Sequence, residues 1–111
     1  MLSTAKLVNK SLINIIPDIP QTSGIYRMLD AEKHVLYVGK AKNLRKRVQS
    51  YFRKNAALSA RTRKLLEVTH SLDYTQTDTE LEALMLESNL IKELRPKYNI
   101  LMKDDKSYVY I

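Results

Sequence analysis

A chain of 111 residues with 44% hydrophobic content has room for one core and not for two. Its formal charge of +7 is unevenly placed: Lys40–Lys64 holds ten Lys or Arg and no Asp or Glu, whereas Leu65–Leu94 holds seven acids against one lysine. The lack of cysteine excludes disulfides and thiolate metal sites. No stretch reaches the ~18 apolar residues of a membrane span, and Leu12–Ile16 is too short for a signal core, so a cytoplasmic setting is expected. An acid-free basic window of this length points to a polyanionic partner, nucleic acid first, rather than to a merely solubilising surface.

In chain order, residues Leu7–Ile16 carry loosely helical apolar spacing and stop at Pro17, and Pro20 stiffens the connector that follows. Ile25–Leu29 reads as a strand, Asp30–Lys33 as a turn and Val35–Val38 as a second strand. The chain's two glycines, Gly24 and Gly39, bound this hairpin where a missing side chain permits close approach to the backbone. Asn43 caps a basic helix with Leu44, Val48 and Phe52 on its buried face; Arg47 borders that face, and Arg45, Lys46, Gln49 and Arg53 point outward.

A second basic helix is expected over Leu58–Val68, and the alternation over Ser71–Thr77 predicts a third strand beside the hairpin. Thr79 with Glu82 is a capping-box signature opening a helix over Glu80–Leu94, ended by Arg95-Pro96. Lys97–Leu101 then leads into the polar run Lys103–Lys106, and Ser107–Ile111 has strand character, as at the truncated start of a further segment. The reading is α+β, with residues 1–20 as helix and connector, 21–102 as the main domain and 103–111 as an extension.

On a helical projection of Glu80–Leu94, apolar residues spread over most of the circumference, and only Glu82, Asn89, Lys92 and Glu93 group as a solvated face. Glu87 falls outside that face, between Ala83 and Leu84 on one turn and Leu90 and Ile91 on the next. A carboxylate so placed needs a counter-charge, a metal ion or a proton. An ordinary buried ion pair with Arg or Lys meets the same requirement.

His34 and His70 lack metal-ligand spacing, and there is neither a Gly-rich phosphate loop nor a nucleophile elbow. Tyrosines, clustered cations and one misplaced carboxylate remain. That set suits phosphodiester hydrolysis, with a hard divalent ion on Glu87, cations to balance transition-state charge and a group to take a proton from water. A phenol has its ordinary pKa near 10, so Tyr37 acting as a base needs that value lowered by Lys40 or by a metal.

Gly24-Ile25-Tyr26, ten residues, then Tyr37-Val38-Gly39 resembles the GIY-YIG endonuclease signature, with Val for the middle Ile. Tyr37–Arg47, Tyr51-Phe52, Thr79–Lys92, Arg95–Asn99 and Lys103–Ser107 extend the resemblance to the UvrC branch of that family, whose fold is a small three-stranded antiparallel β-sheet flanked by helices.

The resemblance implies Tyr37 as general base or relay, Tyr26 as its partner phenol, Arg47 as transition-state stabiliser and Glu87 as ligand of one Mg²⁺ or Mn²⁺. It implies Lys40, Tyr51 and Asn99 as support for phosphate and site geometry, beside Gly39 and the cations Lys42, Arg45 and Lys46. It also implies DNA as substrate, incision 3′ of a lesion in nucleotide excision repair, and UvrB as partner with UvrA upstream. A monomer is expected. The alternatives are a non-catalytic DNA-binding module held to DNA by the Lys40–Lys64 surface, and a GIY-YIG nuclease of another branch.

Overall fold

The computed structural model describes residues 12–53 and 57–106, with side chains as far as Leu101. The helical spacing before Leu12 and the strand character of Ser107–Ile111 lie outside the described residues. Residues 12–15 are helical (α1) and pass into a 3₁₀ turn, Ile16–Asp18, which takes Pro17 into its first turn instead of stopping at it.

Three strands follow the expected order: β1 (Gly24–Leu29), β2 (Val35–Ala41) and β3 (Ser71–Gln76). They form one antiparallel sheet ordered β2-β1-β3. In register, Tyr26 faces Gly39 on β2 and Tyr74 on β3, and Met28 faces Tyr37 and Leu72. The second strand does not close at Gly39, as the sequence suggested; it continues to Ala41, because Gly24 and Ile25 still pair with Ala41 and Lys40. At the hairpin turn, Asp30 Oδ1 accepts from the backbone N–H of Glu32 and His34, each at 2.9 Å, and Lys33 takes a positive φ of 69°.

Alternation along the strands gives the sheet two different faces. Tyr26, Met28 and Leu72 point into the main core with Leu12, Ile16, Ile19, Leu44, Val48, Tyr51, Leu65, Leu66 and Tyr98. Ile25 and Val38, both fully buried, point to the other face, where α4 (Glu80–Leu94) packs on β2 and β1. The first face is roofed by α2 (Leu44–Ser50) and α3 (Ala60–Val68). Asn43 caps α2 by accepting from the Lys46 N–H at 3.0 Å, and Leu44 N–H reaches back to the Thr22 carbonyl at 2.9 Å. Phe52, placed on the helix by its spacing, lies past its end and is half-buried. Ser59 caps α3, which therefore starts at Ala60 rather than Leu58.

The capping box at Thr79 and Glu82 forms as expected, and α4 has the expected bounds. Arg95 ends it in the left-handed region at φ 47°, the αR conformation being disfavoured before Pro96. Where the sequence suggests only a lead from Lys97–Leu101 into a polar run at Lys103–Lys106, the structure has a helix, α5 (Lys97–Lys106). It packs on β2 and α3, with Tyr98 buried in the main core.

Candidate active site at the edge of the sheet

The centre of the site is Tyr26, wholly buried on the middle strand. Its hydroxyl lies 2.6 Å from that of Tyr51 and accepts from Arg47 Nε at 3.2 Å. Arg47, an exposed residue near the end of α2, lays its guanidinium over the Tyr51 ring, 5.1 Å from the centroid. Tyr37 on β2 packs at a tilt of 49° against Tyr26, with ring centroids 6.2 Å apart. Three phenols and one guanidinium thus share one spot, with Arg47 and Tyr51 brought in from α2 and its C-cap.

Gly39 explains how the phenols fit. A Cβ there would collide with the Tyr26 ring, lying 2.8 Å from Cε1 and nearer still to Cζ and the hydroxyl. Neither glycine has positive φ, so both serve close approach rather than a turn. At Gly24 the obstacles are the Thr75 carbonyl and the Leu44 side chain, 2.6 Å away. Gly39 thus makes room for Tyr26 and not for a ligand.

The electrostatics run against a ready-made phenolate. Burial pushes the Tyr26 phenol well above its usual 10, and Tyr51 and Tyr37 push it further. Tyr37 is raised to about 12, chiefly by burial and then by Tyr51, with Glu87 also raising it and Arg47 opposing. The lowering of Tyr37 by Lys40 considered from the sequence does not occur in the protein alone. The phenols, Tyr26 foremost, in turn raise the Arg47 pKa, so the guanidinium stays charged.

Glu87 stands on α4, which packs on the other face of the sheet. Ala83, Leu86, Glu87, Leu90 and Ile91 form the buried or half-buried stripe of α4, at the i, i+3, i+4, i+7, i+8 spacing of one helix face. The projection therefore placed Glu87 correctly on the inner face. It overstated the apolar arc: Leu81, Leu84 and Met85 are 63%, 45% and 58% exposed and widen the solvated face. The half-buried Glu87 carboxylate is the hard oxygen donor that suits a divalent ion, and its charge contributes to raising the Tyr37 pKa.

Asn99 comes from α5, an element the sequence reading did not foresee. Its Oδ1 accepts from Val38 N–H at 2.7 Å and its Nδ2 donates to the Val38 carbonyl at 2.9 Å. This amide pairs with the outer edge of β2 as a further strand residue would, and so fixes the strand between Tyr37 and Gly39. Lys40, Lys42 and Lys46 are exposed. Arg45, expected to point outward to DNA, instead ties α2 to the connector, donating to the carbonyls of Ile19 (2.8 Å) and Pro17 (3.0 Å). Asp30, Glu32 and His34 have ligand atoms within 4.8 Å of one another, but they belong to the hairpin turn and not to this cluster.

Tyrosines paired across a strand glycine, an arginine on their hydroxyls and a carboxylate helix behind the sheet make up the arrangement of a GIY-YIG nuclease. The model of the UvrC-like GIY-YIG domain matches residues 22–100. The UvrABC system protein C of Rickettsia bellii is 49% identical over 110 residues, covering 99% of this chain and 16% of that protein. The Legionella pneumophila protein of the same name is 54% identical over 104 residues, covering 94% and 17%. Among solved structures, the GIY-YIG N-terminal endonuclease domain of UvrC from Thermotoga maritima, bound to its catalytic magnesium, superposes with a TM-score of 0.68 at 33% identity. That match covers 77% of this chain and 91% of the other. The chain belongs to the UvrC-like GIY-YIG family of endonuclease domains, and it spans about a sixth of the length of these curated relatives.

Proposed function

We propose that this chain hydrolyses a DNA phosphodiester on the 3′ side of a lesion in nucleotide excision repair, with one Mg²⁺ or Mn²⁺ held by Glu87, and that residues 21–102 form the catalytic unit. The observation that carries the reading is the meeting of Arg47, the Tyr26–Tyr51 pair and Tyr37 on one face of β2 with a half-buried Glu87 behind it. The UvrC neighbour that binds catalytic magnesium supports the choice of ion.

Glu87 would hold such an ion through its carboxylate, and the bound ion would supply positive charge at a phosphate oxygen and beside the phenol. Tyr26 is too firmly protonated to act as base and too buried to meet substrate; it holds Arg47 and Tyr51 in place. Arg47, permanently charged, stabilises the developing charge on the phosphoryl oxygens. Once Tyr37 has lost its own proton to solvent, which positive charge beside it would favour, the phenolate takes the proton of the attacking water. Lys40, Lys42 and Lys46 hold flanking phosphates, so recognition is of the backbone rather than of sequence. UvrB, with UvrA upstream, delivers the substrate.

The test is a nicking assay on a duplex with one bulky lesion, with UvrA, UvrB and Mg²⁺ or Mn²⁺, comparing this chain with its Glu87→Ala variant. The expected result is a metal-dependent cut a few nucleotides 3′ of the lesion that the variant does not make. A DNA-binding protein that leaves the strand intact under all these conditions would be the non-catalytic module instead.

A further inference from the structure

Beside the catalytic cluster, a cleft of about 270 Å³ opens between the end of β2 and the first turns of α4. Its walls differ in chemistry. Lys40, Ala41 and Lys42 line the β2 side; Glu80, Leu81, Ala83 and Leu84 line the α4 side. Leu81 and Leu84 are 63% and 45% exposed, an unusual cost for side chains of this size at the start of a helix whose cap is otherwise fully formed.

We propose that this cleft seats one unstacked nucleotide of the strand being cut, its base against Leu81 and Leu84 and its phosphates on Lys40 and Lys42. The proposal rests on the DNA-cleaving reading and adds to it a preference for locally unpaired DNA. Three observations carry it. The two ammonium groups complement phosphate, whereas a polypeptide would have to bury its apolar side chains between them. Its lining residues neighbour the catalytic ones along both elements: Lys40 follows Gly39 on β2, and Ala83 lies one turn before Glu87 on α4. Its volume falls just under the roughly 300–1,000 Å³ of ordinary small-ligand sites, room for one base but not for a duplex.

A base stacked in a duplex offers only its edges to protein, so its face can meet leucine side chains only after it leaves the stack. The Glu80 carboxylate, on the α4 wall, would accept from a ring or exocyclic N–H of such a base. Glu80 also repels phosphate, which sets the orientation: base toward α4, backbone toward β2.

The experiment is fluorescence anisotropy of this chain with two duplexes of equal length and charge, one fully paired and one with a single mismatched, unpaired base pair, without divalent ions. The unpaired substrate is expected to bind about tenfold tighter, the scale of part of the unstacking cost that a paired base must first meet. That ratio should fall to near one in Leu81→Ser/Leu84→Ser, whose positions are exposed enough to leave the fold unchanged by circular dichroism. It should persist in Met85→Ser, on the same exposed side of α4 but outside the cleft. Equal affinity of the unaltered chain for the two duplexes, or a ratio untouched by the double substitution, would overturn the proposal and leave the cleft to a polypeptide. Failure of the nuclease reading is separate: it would appear as absence of metal-dependent nicking with the binding ratio intact.

Discussion

The two faces of the sheet are built on different terms. On one, Tyr26 is enclosed and its hydroxyl is gripped by both Tyr51 and Arg47, so each phenol has one available place. On the other, α4 contributes only Ala83 as a fully buried residue, and Glu87 sits in a half-buried stripe with leucines left in solvent. The first face positions chemistry by close packing, and the second leaves access for an ion and a substrate. A nuclease domain of this size needs both, and β2, shared by the two faces, is where they meet.

If that division is right, changes at Glu87 on the open face, and at Arg47, an exposed residue at the rim of the closed one, should remove activity without cost to the fold. Glu87→Ala and Arg47→Ala are each expected to lower the cleavage rate by about 10²–10³-fold, the effect of deleting one group that stabilises transition-state charge. Their unfolding midpoints should stay close to that of the unaltered chain. Arg47→Lys should not restore the rate, because an ammonium lacks the planar fork that reaches the Tyr26 hydroxyl while lying over the Tyr51 ring. A large stability loss in Glu87→Ala would break the comparison by making Glu87 a structural residue.

Changes on the closed face should do the reverse. Gly39→Ala sets a methyl group against the Tyr26 ring and should cost about 1–3 kcal/mol in denaturant unfolding. Asn99→Ala removes both hydrogen bonds to the Val38 backbone and should cost about 1–2 kcal/mol, with activity falling as the Tyr37 strand loosens. Asn99→Asp should restore little, because a carboxylate has no N–H for the Val38 carbonyl.

The smallest effect expected is on the alkaline limb of stability. Tyr37 has its folded-state pKa raised from 10 to about 12, and Tyr26 is raised as well, so the folded state holds these protons more tightly than the unfolded chain. Their contribution is therefore complete below about pH 10 and is lost as pH rises toward 12. Urea midpoints measured across that range should fall, and Tyr37→Phe should flatten part of the fall.

Where one local rule decided the structure, the sequence was sufficient. Thr79 and Glu82 announced the start of α4, Asn43 that of α2, and Glu87 stood out because a helical projection depends only on spacing. Legibility failed where the decisive contact is distant in the chain. Arg45 is an outward-facing cation by helical spacing, yet its partners are the carbonyls of Pro17 and Ile19, 28 and 26 residues away. The role of Asn99 at the edge of β2 spans 61 residues. The α5 helix did carry a usable local signal: Pro96 at its entrance, accepting from Asn99 and Ile100, with Tyr98 and Leu101 spaced for one buried face. The polar run that follows outweighed it.

The central claim, that the ion sits on Glu87 behind the phenols, is tested most directly by Mn²⁺ titration followed by paramagnetic broadening of backbone amide signals. Broadening is expected to centre on residues 83–91 of α4 and on β2 around Tyr37, and to vanish there in Glu87→Gln. Broadening that centres instead on the hairpin turn, where Asp30, Glu32 and His34 gather, and that Glu87→Gln leaves unchanged, would contradict it.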